Sequence, residues 1–157
     1  MRPERHRRRA GEAEASGVAA ALAEVRAIYA ELDRRPVDRG CRLSGGCCRF
    51  RLTGRTPYLT RGEALLAAKG VRASGRKTLP EAVEGACPLL HPRTGRCTIY
   101  AERPFGCRTH FCDAAGGPYP RASVIDLIRR LETLDAALGG DGARTLPGAV
   151  ADALERL

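Results

Sequence analysis

The sequence predicts a mainly α-helical domain whose helices pack around an irregular, cysteine-rich, metal-stapled centre with a small β-hairpin. Three observations lead there. Apolar residues follow a helical period near both ends of the 157-residue chain. The middle carries no such period, yet it holds all seven cysteines. Large core-filling side chains are scarce, with three Phe, four Tyr and no Trp. A middle segment that poor in apolar bulk needs a covalent or metal staple to offset its conformational entropy. The length suits one domain.

Residues 1–11 are arginine-rich and read as a disordered basic tail, leaving 12–157 as a single cysteine-cluster domain. From Glu12 to Arg35 the positions Val18, Ala21, Leu22, Val25, Ile28, Tyr29 and Leu32 keep helical spacing with charges between them, which predicts a long amphipathic helix. Pro36 ends it. Val37 to Phe50, with Gly40, Gly45 and Gly46, has neither helical nor strand period. Thr60 followed by Glu63 is a capping box, and the run after it through Lys69 closes on Gly70 as a short helix. Residues 71–85 read as polar linker. Two short apolar runs, from Cys87 to Leu90 and from Cys97 to Tyr100, flank a turn at His91 to Arg96 and predict a hairpin or knuckle. A loop follows from Arg103 to Pro120. The C-terminal helices occupy 123–157: one starts at Ser123 with Asp126 three residues on and stops at Gly139-Gly140, and Pro147 opens another that runs to Leu157.

Charge narrows the function classes. The formal net charge is +9, a value that suggests nucleic acid only while the thiols are counted as neutral. Seven thiolates on two divalent ions would bring it to about +6. A further net +4 sits in the first nine residues, which hold five arginines and one Glu. The remaining surface is only weakly basic. Arg5 to Arg9 is followed by a Glu-containing amphipathic stretch and not by an apolar core, so no secretory signal is expected, and no run approaches a membrane span. The expected location is the cytoplasm, where thiols stay reduced and a cysteine cluster signals metal or redox chemistry more than structural disulfides.

The candidate ligands are Cys41, Cys47, Cys48, Cys87, Cys97, Cys107 and Cys112, all within 41–112. Thiolates hold a tetrahedral ion when short loops bring their sulfurs to about 2.3 Å from it, and glycine supplies the turns that permit this. Gly45-Gly46 before Cys47, Gly95 before Cys97 and Gly106 before Cys107 meet that need. Adjacent side chains diverge, so Cys47 and Cys48 do not both suit one ion; one of them would bridge two ions, serve a second site or stay outside the ligand set. Arg49, Arg103 and Arg108 lie near cysteines and could offset thiolate charge. With seven sulfurs available, His91 and His110 are not needed as ligands.

Three stretches carry a family likeness: Cys41-Arg42-Leu43-Ser44-Gly45-Gly46-Cys47-Cys48-Arg49, then Cys87-Pro88-Leu89-Leu90 leading to Cys97-Thr98-Ile99-Tyr100, and finally Glu102-Arg103-Pro104-Phe105-Gly106-Cys107-Arg108. In them the chain resembles the YkgJ-like cysteine-cluster family, a zinc- or iron-chelating domain with a C-x-x-C-x-x-C-C opening. The resemblance implies zinc or iron, including the iron–sulfur cluster expected of some relatives, and leaves the reaction undefined. Ser44 stands where the family's second cysteine would be, so the opening offers at most three thiolates. Cys112 is the candidate replacement.

The leading functional expectation is a metal-binding protein holding zinc or iron in a buried thiolate cluster, with a structural role or one accessory to a protein partner. Closed sulfur coordination suits that better than catalytic zinc, which keeps an open position beside a general base. Asp113 and Glu102, the carboxylates nearest the last cysteines, make a thin case for hydrolysis, so the reading leans away from an enzyme. An iron–sulfur protein serving electron transfer or a partner enzyme is the alternative. A zinc-knuckle nucleic-acid binder ranks last, for want of stacking aromatics and a recognition helix.

Overall fold

The computed structural model describes residues 2–157, with side chains described from Arg7 onward. Helix α1 (Arg2–Arg34) places Leu22, Val25, Ile28, Tyr29 and Leu32 on one face, all buried. That stripe is the spacing read from the sequence. The helix starts ahead of Glu12, however, so the arginine-rich stretch continues its axis. From Arg7 to Gly17 every residue is exposed, and Val18 is the first to touch the core. Of the tail expected over 1–11, Met1 lies outside the described residues. The helix stops before Pro36, whose ring disfavours helical geometry in the residue preceding it.

Helix α2 (Phe50–Thr53) and strand β1 (Tyr58–Leu59) lead into α3 (Arg61–Ala73). The capping box at Thr60 and Glu63 forms as expected. The helix runs past Gly70 all the same, because that glycine serves packing: a Cβ there would stand 3.1 Å from Ile99 Cγ2. The first residues assigned to a linker, from Val71, are therefore helical.

A short helix α4 (Phe105–Thr109) lies within the segment expected to be loop. Beyond it come α5 (Ile125–Ala137), strand β2 (Arg144–Thr145) and α6 (Leu146–Glu155). Strand β2 pairs antiparallel with β1, Tyr58 opposite Thr145 and Leu59 opposite Arg144. The small sheet therefore joins distant parts of the chain, and the segment expected to form a hairpin is a turn closed by one bridge between Leu90 and Cys97.

Helix α3 is central and packs against α1, α5 and α6. Asp135 of α5, buried, accepts from Arg61 N at 2.6 Å and from Gly142 N at 2.9 Å, so it caps α3 from a distance. Gly140 leaves room for this, since a Cβ there would fall 2.4 Å from the Asp135 carboxylate. Across the α1–α5 contact Arg130 bridges Glu24 and Glu31, and Arg35 donates to both Asp126 carboxylate oxygens and to Glu31. The cysteine-bearing segment lies beside this bundle, adding Cys87, Leu89, Ile99 and Phe105 to the core. No helix among the described residues is long and apolar enough to cross a membrane.

Candidate metal centre

Three separated stretches of chain deliver the thiols. Cys47 and Cys48 form a single 3-10 turn, Gly46–Cys48, after Gly45 in the left-handed region at φ 70°. Gly45 also touches the next stretch, where its Cβ would meet the Gly95 carbonyl oxygen at 2.6 Å. Only glycine satisfies both demands. The second stretch is the knuckle of residues 87–100. Its turn is closed by His91 N to Arg96 O at 2.8 Å and Thr98 N to Leu89 O at 2.8 Å, and Cys87 N donates to Cys48 O at 2.6 Å. The third is α4, which carries Cys107.

These stretches surround an open cavity of about 850 Å³ bordered by Cys41, Cys47, Cys48, Cys87, Cys97 and Cys107. Cys112 stands outside that lining and is exposed, as Cys41 is at the rim. The seven thiols are all free. Five of them respond to one another. The Cys48 thiol hydrogen-bonds to Cys47 and, with the nearby Arg103 charge, brings Cys47 down to about 6 against the cost of burial. That bond and burial push Cys48 up, and the charges of Cys47, Cys87 and Cys97 add to the rise. Burial raises Cys87 to about 11, with the charge of Cys97 contributing. Burial likewise raises Cys97, against Arg103 and the Ile99 N–H. Cys107 is raised by burial and then by the charges of Cys87, Cys97 and Cys47. Buried thiols that repel one another's charge shed their protons together only when a cation joins them.

Arg103 is the arginine that faces the thiols, its guanidinium stacked 4.0 Å from the Tyr100 ring centroid and donating to Tyr100 O at 3.2 Å. Arg108 borders the same cavity and gives its donors to Asp33 at 3.1 Å and to the Arg103 and Ala101 carbonyls, with its guanidinium 4.3 Å from the Tyr29 ring centroid. Arg49 is exposed. The two histidines near the cysteines use Nδ1 locally: His91 accepts from Arg93 N and Thr94 N at 3.3 Å, and His110 accepts from Arg55 at 3.1 Å. Glu102 pairs with Arg26 at 3.7 Å.

Among the described residues no three His, Cys, Asp or Glu side chains are already arranged to hold a metal ion. The donor chemistry nonetheless fits a thiophilic cation. Neutral sulfurs dominate, Cys87 is buried and Cys47, Cys48, Cys97 and Cys107 are half-buried, and an arginine stands by to offset residual negative charge. Sequence reasoning missed Glu63 and Tyr29, which support α4; the capping box flagged Glu63, but only as a helix start.

A family model described as "Putative zinc- or iron-chelating domain", CxxCxxCC, matches residues 40–122, more than half of the chain. No curated protein and no solved structure matches it.

Proposed function

As the chain belongs to the CxxCxxCC family of zinc- or iron-chelating domains, we propose that it holds one of these metals through Cys47, Cys87, Cys97 and Cys107, with Cys48 and Cys41 at the edge of the set. The observation that carries this is the convergence of thiols from three stretches on one cavity, where they sense one another's charge. When bound, the ion supplies the positive charge that lets buried thiolates coexist. The residues do the rest. Gly45 and Gly95 let the loops approach each other, Arg103 would offset the excess negative charge, and Cys47, Cys87, Cys97 and Cys107 would hold the ion. The cavity is open on one side, which suits a metal that enters and leaves, and so a role in holding metal for a protein partner.

Elemental analysis of anaerobically purified protein, with a visible spectrum, tests this. Stoichiometric zinc in a colourless protein, or iron without a broad band near about 400 nm, is the expected result. A brown protein with that band supports the iron–sulfur alternative. Cys97→Ala and Cys107→Ala should each lose most of the metal, whereas Cys112→Ala should keep it. Unchanged metal content in the Cys97 and Cys107 variants would overturn the ligand set.

A further inference from the structure

We infer that Glu63 and Arg108 are positioning residues for the metal centre: from opposite ends they fix α4 and so aim Cys107 into the shared cavity. This rests on the reading of Cys107 as a ligand.

Helix α4 has five residues. A helix that short has no stability of its own, so its orientation must be imposed from outside. At its first residue, Phe105 N donates to Glu63 Oε1 at 2.8 Å. Glu63 is 3% exposed and takes three more donors: Tyr29 Oη at 3.1 Å, Thr60 N at 3.0 Å and Thr60 Oγ1 at 2.9 Å. With two donors on each oxygen the carboxylate is fixed in place, and it has no free lone pair directed at a metal. It anchors α4 to α3.

Near the other end of α4, Arg108 is 9% exposed and spends its whole fork on fixed partners. Nε donates to Arg103 O at 2.9 Å, Nη2 to Ala101 O at 2.5 Å and Nη1 to Asp33 Oδ2 at 3.1 Å. The side chain thus folds back over the segment leading into α4 and ties it to α1. One residue of α1 joins the two anchors, since Tyr29 gives its hydroxyl to Glu63 and its ring face to Arg108. Cys107 lies between Phe105 and Arg108 in the chain, so both sides of it are held. A thiolate ligand must reach its ion to within about 0.2 Å of the ideal distance, and partners that fix ligand orientation typically change metal affinity 10- to 100-fold.

The test uses Co(II) as the probe, titrated anaerobically into metal-free protein and followed by its thiolate charge-transfer and ligand-field bands. Glu63→Gln and Arg108→Lys are compared with Cys107→Ser and with Val150→Ala, a buried substitution on α6 that lowers stability without touching α4. Arg108→Lys keeps the charge and loses the fork. Expected are a 10- to 100-fold weaker Co(II) affinity in the Glu63 and Arg108 variants and ligand-field bands shifted toward those of Cys107→Ser, with Val150→Ala unchanged in both. Wild-type affinity and bands in both variants, or an equal change in Val150→Ala, overturn the inference. If wild type itself gives no thiolate–cobalt bands, it is the metal-site reading that fails. Should Glu63→Gln not fold, Tyr29→Phe removes one of the four donors and should weaken Co(II) several-fold in the same direction; no change there also counts against the inference.

Discussion

At Gly45 one added methyl group would meet a carbonyl oxygen of the neighbouring knuckle, on backbone that already sits at φ 70°. Gly45→Ala should therefore destabilise the protein by about 1–3 kcal/mol and weaken metal binding, which denaturant titration and a competitive zinc chelator would measure together. The thiols carry a second expectation. Cys87 is pushed up to about 11, and Cys97 and Cys107 are also raised, so at neutral pH these three carry protons that an ion must displace. Zinc affinity should rise with pH, and calorimetry in buffers of differing ionisation enthalpy should find about three protons released per ion. The cysteines were legible as a group because of where they cluster. Their division was legible in part: Cys48 and Cys112 rank below the other five by sequence, whereas the exposure of Cys41 is visible only in the fold. What Arg108 bonds was not legible either, since its place next to Cys107 in the chain does not reveal Asp33 or the Ala101 carbonyl as its partners.

Among the elements, the helices with strong apolar periodicity and a marked start were readable. Helix α3 announced itself through Thr60 and Glu63, α6 through Pro147 near its first turn, and α1 through its stripe. What escaped were elements stabilised from far away. Helix α4 is too short to show a period, and β1 pairs with a strand more than eighty residues later in the chain. Gly70 looked like a stop signal because glycine usually ends helices, but its lack of a side chain instead admits Ile99. The distant cap on α3 is the clearest case, since nothing local links Asp135 to Arg61. Asp135→Ala leaves the Arg61 and Gly142 N–H groups without their partner, and it should cost about 2 kcal/mol by urea denaturation. Asp135→Asn should retain part of that.

For the molecule as a whole, the ion pair that Arg35 makes with α5 contributes to how stability responds to acid. Hydrogen bonds from Arg35 hold the Asp126 carboxyl at about 2, below its ordinary 3.8. A depressed carboxyl stabilises the fold at pH values above its unfolded value, and that contribution fades as pH falls from about 3.8 through about 2. Urea midpoints measured down this range should fall more steeply for wild type than for Asp126→Asn. The overall class was legible because helical periodicity at both ends and its absence between them are long-range patterns. The relation between the two parts was less so. The helices pack on one another through α3, and the cysteine segment joins their core through Cys87, Leu89, Ile99 and Phe105. The two parts share one interior, since those four residues pack into the same apolar core as the helices and Gly70 admits Ile99. A disturbance of the loops that carry the thiols is therefore felt in the middle of the helices, and one melting transition should report on both.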